Sequence, residues 1–430
     1  MRSVRSALKV NVPEGESGTL IHTPERFLFR YSPEADPEMS IAFGMPVRLE
    51  EYATPSLMPI FQMNLPEGFL LEQIRNRLAK AARIDPMLLL AITGANDPIG
   101  RIDVEAPEQL VRLLGSERSD RGESLDEILA WDGSEDLFAA LVDKYVLRSG
   151  ISGIQPKLLV PEIEQKATAT TSELIIKSEG RDYPHLAINE FLCMSIAREA
   201  GLEVPEFHLS SNHKMFVMRR FDRVDGKRLG FEDMAVLTGK GTEQKYQGSY
   251  EMLARAIRLY CPPDHVQASL EALYRSVVVS CIVGNGDAHL KNFGLLYSNP
   301  ESNDSRLAPA YDIVNTTSYI PEDSLALELG GNKSLFASRL GLMNFAQVCE
   351  VKNPREVIEQ TLTAVETVMK QSQHLTEVAP EIATAITKSF HQFDLTFTRS
   401  RASQSNRGYV GLMDSSDEVD QKLQPPSSPA

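Results

Sequence analysis

The stretch Gly284-Asn285-Gly286-Asp287-Ala288-His289-Leu290-Lys291-Asn292-Phe293 decides how the rest of the chain is read. Asp287 and Asn292 stand five residues apart (292 − 287), the step of a D-x-x-x-x-N loop. In such a loop a carboxylate orients an attacking hydroxyl and an amide oxygen binds magnesium. A second carboxylate, Asp312 in Ala310-Tyr311-Asp312-Ile313, follows after a short connection. Asn292 and Asp312 are thereby candidate metal ligands, hard oxygens suited to magnesium shared with substrate phosphates. Asn, Gly and Asp also dominate ordinary turns, and Asp287 alone would be read as one. With His289, Lys291, Asn292 and Asp312 beside it, phosphoryl-transfer chemistry is the stronger reading.

Upstream residues fit the same chemistry. The segment Arg148-Ser149-Gly150-Ile151-Ser152-Gly153-Ile154-Gln155-Pro156-Lys157 has glycines whose backbone amides can approach phosphate closely. It is neither a Walker loop nor G-x-G-x-x-G. Lys177 ends the β-type run Leu174-Ile175-Ile176-Lys177, where a strand lysine can reach α- and β-phosphates. Two readings of Glu190 stay open: a partner for Lys177, or an exposed first-turn glutamate favoured by the helix dipole. Arg219, Arg220 and Arg223 form a small basic cluster, read either as a solvated edge or as a phosphate contact.

The bulk numbers set limits. A chain of 430 residues with 42 % hydrophobic content supports two or three packed domains. Its net charge of −15 argues against binding nucleic acid through its own field. The four cysteines, Cys193, Cys261, Cys281 and Cys349, have no metal-ligand spacing and read as reduced, buried thiols. No signal-peptide run follows Met1, and the apolar clusters Met87–Ile92 and Val277–Val283 are shorter than the roughly 20 residues a membrane span needs. A cytoplasmic protein with no membrane partner is expected.

Residues from about Leu8 to Val104 alternate as strands do and carry a helix around Gly68–Ala82. A short helix over Glu135–Leu141 leads into the glycine loop. A helix over Leu186–Ala200, with Ile188, Phe191, Leu192 and Ile196 on one face, stops at Gly201. A strand over Met215–Met218 follows, and from Tyr250 the pattern is largely helical. This order predicts an α+β, two-lobed protein-kinase-like fold: a β-rich N-lobe with an extra N-terminal subdomain, and an all-helical C-lobe. The expected divisions are 1–115 for the N-terminal subdomain, 116–218 for the N-lobe with its glycine loop, 219–400 for the C-lobe, and 401–430 for a disordered acidic tail.

Taken in order, these segments resemble the HipA family of toxin serine/threonine kinases. The resemblance is carried by Phe61-Gln62-Met63-Asn64-Leu65-Pro66-Glu67-Gly68, Asp97-Pro98-Ile99-Gly100, Ile151 through Lys157, Ile175-Ile176-Lys177 and Asn189-Glu190-Phe191-Leu192-Cys193. It continues with Arg220-Phe221-Asp222-Arg223, Glu232-Asp233-Met234, Gly286 through Phe293 and Pro309-Ala310-Tyr311-Asp312.

The resemblance implies ATP- and magnesium-dependent phosphorylation of a protein serine or threonine. It makes Asp287 the active-site aspartate and places Asn292 and Asp312 at the metal. It lines the nucleotide pocket with Ser152, Gly153, Ile154, Gln155, Pro156, Lys157, Lys177, Arg219, Arg220, Phe221, His289, Leu290, Lys291, Asn292, Tyr311 and Asp312. It implies a HipB-like helix-turn-helix antitoxin that alone carries operator DNA, and an aminoacyl-tRNA synthetase as substrate, most often the glutamyl enzyme. Family members autophosphorylate within a Ser-x-Ser-Gly pattern. Here Gly150 replaces the first serine, which leaves Ser152 as the expected site and Ser149 as a distant second. Phe231 stands where some relatives carry glutamine. Two alternatives remain at this point: a small-molecule kinase, and a catalytically silent scaffold bridging an antitoxin on DNA.

Overall fold

Along Ser6–Val12 (β1) every second residue, Leu8, Val10 and Val12, is buried, the period-2 signature of a strand with one wet face. The chain is seen in a computed structural model that describes residues 6–78, 84–94, 98–107, 123–131, 136–145, 155, 157–161, 173–180, 182–335 and 338–405. Strand β1 sits in an antiparallel five-stranded sheet with β2 (Gly15–His22), β3 (Phe27–Tyr31), β4 (Tyr52–Thr54) and β5 (Asp103–Val104), in the order β4-β3-β2-β1-β5. Its core joins Leu20 and Phe29 to Phe61, Met87 and Leu90.

The second sheet is also antiparallel: β6 (Lys157–Pro161), β7 (Glu173–Ser178), β8 (Phe207–Leu209) and β9 (Met215–Arg219), ordered β6-β7-β9-β8. Leu158, Val160, Leu174, Ile176, Met215 and Val217 pack with the helices Gly68–Leu78 and Leu137–Tyr145. Leu159, Ile175, Phe216 and Met218 pack the other way, toward the helix Leu186–Glu199. Cover on both faces is why these strands read as continuous apolar runs. The helix Leu186–Glu199 was expected to have one apolar face. It is buried nearly all round, because sheet and C-lobe helices enclose it. Gly201, at φ +82°, takes the left-handed conformation just past its end.

Beyond lie the helices Tyr250–Tyr260, Pro263–Val283, Ser338–Val348, Pro354–Gln371, Gln373–Val378 and Pro380–Ser405. Pro263–Val283 is long and apolar enough to cross a membrane by composition, yet 67 % of its apolar stretch is buried in the fold, as a central core helix requires. The C-lobe is not all helical, which corrects that part of the expectation. The hairpin β10 (Arg223–Val224) and β11 (Lys227–Arg228) precedes a three-stranded sheet of β12 (Gly230–Asp233), β13 (Gly294–Tyr297) and β14 (Arg306–Leu307). Every residue of β12 and β13 is buried, so no alternation marked them in the sequence.

A buried electrostatic clamp ties the N-terminal sheet domain to the rest. The Asp222 carboxylate accepts from Arg220 at 2.7 Å, from Arg223 at 2.8 Å and from the Gly100 backbone N–H at 2.7 Å. Arg220 and Arg223 also donate to the Pro98 carbonyl. Arg220 and Arg223 are therefore neither a solvated edge nor a phosphate contact, whereas Arg219 pairs with Glu206. Burial opposes ionisation of Asp222, but the two guanidinium groups win and hold its carboxyl down at about 2. A folded-state pKa below the ordinary 3.8 contributes stability at neutral pH that is lost as pH falls toward about 2. Asp222→Asn leaves two guanidinium groups facing a neutral amide and should cost about 3–5 kcal/mol, read as a fall in the urea midpoint at pH 7. An unchanged midpoint contradicts the clamp.

Candidate active site

Antiparallel register sets Lys157 of β6 directly opposite Lys177 of β7, so two ammonium groups leave the sheet on one face. Like charges so placed repel, and nearby carboxylates offset them. Lys177 Nζ donates to Glu190 Oε1 and to Asp312 Oδ1, both at 2.5 Å. Glu190 is fully buried, which decides for the Lys177 partner over the exposed glutamate. Burial alone would lower the Lys177 pKa, but Asp312 and Glu190 outweigh it and raise it. Burial does depress Lys157, against the attraction of Asp312.

Asp312 sits at φ +59°, a left-handed backbone uncommon outside glycine and enriched at functional sites. That twist turns its carboxylate to both lobes, since Oδ2 accepts from Asn292 Nδ2 at 2.9 Å. Burial would raise its pKa; Lys177 and Lys157 instead hold it far below the carboxylate range.

The loop Gly284–Asn292 is locked by its own short side chains. Gly284, at φ +77°, ends the helix Pro263–Val283. A Cβ on Gly286 would lie 2.0 Å from Asp323 Oδ2, so only glycine lets the Thr316–Asp323 pair close beneath the loop. The Asn285 side chain accepts from Asp287 N at 3.0 Å, and Asn292 Oδ1 accepts from His289 N at 3.0 Å. Burial and the neighbouring Lys245 push His289 down to about 3. It is therefore neutral, with Nδ1 accepting from the Lys291 backbone N–H. Burial raises the pKa of Asp287, Tyr246 opposes by donating to Oδ1 at 2.8 Å, and Asp312 raises it further.

These groups line one cleft of about 1260 Å³ between the lobes. The structure brings Gln155, Lys157, Lys177, Phe221, Asp287, His289, Lys291, Asn292, Tyr311 and Asp312 to it. It does not bring three of the expected residues. The Arg219 side chain turns to Glu206, Arg220 serves the Asp222 clamp, and Leu290 lies in the core. Ser152, Gly153, Ile154 and Pro156, and with them the expected modification site, lie outside the described residues, as do Ser149 and residues 406–430. Of the tail expected to be disordered over 401–430, residues 401–405 instead continue the helix Pro380–Ser405.

Three cleft residues, Glu67, Lys245 and Tyr246, are given no role by the sequence alone. Glu67, just before the helix Gly68–Leu78, accepts from Lys291 at 2.6 Å and lies 3.7 Å from Lys245. Tyr246 covers Asp287. Phe231, Phe221 and Tyr311 pack their rings edge-on or tilted, with centroids 5.3–6.2 Å apart, as an apolar wall of the cleft.

The donor set suits magnesium. Asp312 offers a carboxylate beside the Asn292 amide, whose Nδ2 donates to Asp312 Oδ2 while its Oδ1 accepts from His289 N, so that turning the amide would bring a second oxygen to the same point. Among the described residues no group of three or more His, Cys, Asp or Glu is placed to hold a metal ion. Two protein oxygens cannot make a full cage, which is the usual state of a magnesium site completed by phosphates and water.

A β-rich lobe and a largely helical lobe meeting at such a cleft define a two-lobed, protein-kinase-like fold. Comparison with known proteins agrees. Residues 8–105 match the HipA N-terminal domain, and residues 149–372 match the HipA-like C-terminal domain. A putative kinase of Sinorhizobium fredii is 28 % identical over 76 % of this chain and 80 % of its own. The serine/threonine-protein kinase toxin HipA of Shewanella oneidensis is 24 % identical over 51 % of this chain and 55 % of its own. A solved structure of HipA from that organism, with HipB and its operator DNA, superposes with a TM-score of 0.64 at 19 % identity, covering 90 % of this chain and 96 % of that one. The chain belongs to the HipA family of kinases.

The buried pair gives a test of the site as built. Lys177→Ala should destabilise the fold by about 3–5 kcal/mol, because Glu190 is left buried and uncompensated. Lys177→Met combined with Glu190→Leu should recover most of that loss in urea denaturation. A double variant no more stable than Lys177→Ala would show that the pair is not the source of the cost.

Proposed function

We propose that the chain is a HipA-type toxin kinase that transfers the γ-phosphate of ATP to a serine or threonine hydroxyl of a protein. The observation that carries this reading is the meeting of Lys177, Asn292, Asp312 and Asp287 in one interlobe cleft. Asp287 is raised in pKa yet ionisable, which suits a group that orients the acceptor hydroxyl and takes its proton as the new P–O bond forms and the bond to ADP breaks. Lys177 and Lys157 face the same side of the sheet and suit the phosphate chain. Phe221, Phe231 and Tyr311 offer a wall for the flat base. Asn292 and Asp312 would hold magnesium, whose charge offsets that of the phosphates.

The finer reading follows the family resemblance. The protein substrate is an aminoacyl-tRNA synthetase, and phosphorylation arrests growth in the cytoplasm. A HipB-like helix-turn-helix antitoxin restrains the kinase, and operator DNA is reached only through that partner. The net charge of −15 accords with indirect DNA contact. The Shewanella HipA structure, which includes HipB and operator DNA, supports the pairing by its fold.

Expression of the wild-type chain without an antitoxin should arrest growth, and Asp287→Gln should lower transfer from labelled ATP by roughly 10²–10⁴-fold and abolish the arrest. Arrest by the Asp287→Gln protein would refute the kinase reading in favour of a scaffold. Mass spectrometry should find phosphate on Ser152 in the active protein and none in Asp287→Gln. Two further negative charges there, in a site made for ATP phosphates, should inactivate it. A catalytically competent preparation that never gains phosphate at Ser152 on incubation with ATP contradicts that assignment.

A further inference from the structure

The segment Gly241–Tyr246 runs from the N-terminal domain to the proposed base. Its start is pinned where Gln62 Oε1 accepts from Thr242 N at 3.0 Å, and Lys245 reaches Glu67. Its end is pinned where Lys333 Nζ donates to the Tyr246 carbonyl at 3.1 Å and to the Ala326 carbonyl at 2.7 Å. Between these ties the Tyr246 ring stands edge-on to His289, centroids 5.1 Å apart, and its hydroxyl donates to Asp287 Oδ1 at 2.8 Å. The backbone before Asp287 is fixed by Asn285 and Thr316, and its carbonyl accepts from His289 N at 2.8 Å. Those bonds hold the main chain and leave χ1 and χ2 of Asp287 free. Among the described residues, the hydrogen bond to that carboxylate comes from Tyr246.

We propose that Tyr246 is a positioning residue: its hydroxyl, by occupying Oδ1, turns Oδ2 of Asp287 toward the acceptor alcohol. The inference rests on the reading of Asp287 as proton acceptor. Geometry favours positioning over a packing role, because the ring is 40 % exposed and lines the cleft rather than filling the core. The bond also favours the ionised carboxylate. The other charges facing Asp287 are Asp312, which opposes ionisation, and Lys245 and Lys157, which favour it. Glu67 and Asp323 face Tyr246 itself, and both disfavour a tyrosinate, so the phenol remains a donor.

The test is Tyr246→Phe, which keeps the ring and its contact with His289 and deletes one hydrogen bond. The expected result is a kcat lower by about tenfold or more, the size of a hydrogen bond to a charged group. The KM for ATP should stay within about twofold, because no nucleotide-facing group changes. The acid limb of the kcat–pH profile should move up by about one unit, since a carboxylate that loses a donor ionises less readily. Thermal melting checks the fold of the variant. Loss of kcat with an unmoved acid limb would overturn the proposal, as would wild-type kcat and pH profile in a protein where Asp287→Asn abolishes transfer. Transfer surviving in Asp287→Asn would instead remove the base itself, and the two failures are thereby told apart.

Discussion

The ion pair between Lys177 and Asp312 is the constraint on which the arrangement depends. One partner stands on a strand of the β-rich lobe, the other 135 residues later in the helical lobe, 2.5 Å away. Removing two charges from water is costly, and further bonds from Glu190 and Asn292 offset that cost, although Glu190 Oε2 is buried without a hydrogen-bond partner. Lys177 also meets Glu190 from the helix Leu186–Glu199, and Asp312 also meets Asn292. Strand, helix, catalytic loop and the Tyr311–Asp312 turn are thus fixed relative to one another by one short chain of charge-assisted bonds. The left-handed backbone at Asp312 is the local cost of aiming one carboxylate at both lobes.

A second set of charges does for the N-terminal domain what this pair does for the lobes. Asp222 gathers Arg220, Arg223 and the Gly100 amide at the domain boundary. Glu67 extends the contact to the catalytic loop through Lys291. The domain is therefore part of the site's architecture, since one of its side chains decides where a catalytic-loop lysine points. The Asn64 side chain, which both donates to and accepts from Ile99, braces the turn that carries Glu67.

What could be read from the sequence follows from distance along the chain. Asp287 and Asn292 are close in sequence, and Lys177 ends a run whose strand character is plain, so their meeting in one cleft was legible. Glu67, Lys245 and Tyr246 were not, because nothing local separates them from any surface Glu, Lys or Tyr; only the fold brings Glu67 to Lys291. Arg220 and Arg223 were misread for the same reason, their carbonyl partner at Pro98 lying more than a hundred residues upstream. The strands β12 and β13 escaped notice because period-2 alternation needs one wet face, and theirs are both dry. Glu190 stood between two readings until its burial decided, and no local pattern reports burial.

The charge inventory of the cleft explains why a cation belongs with any polyanion that enters it. Lys157, Lys177, Lys245, Lys291 and Lys333 line it, but so do Glu67, Asp233, Asp287, Asp312 and Asp323. Lys177 is already neutralised by Asp312 and Glu190, and Lys291 by Glu67. A triphosphate arriving alone would exchange attraction to the lysines for repulsion from carboxylates a few ångströms away, in a medium that screens poorly. A divalent ion held by Asp312 and Asn292 would reverse that balance. Asp312, which pairs with Lys177, would then share its charge with the ion, and the Lys177 ammonium would be available to phosphate. The carboxylates keep Lys177 and Lys291 in place, so that neither ammonium is left as a bare buried charge.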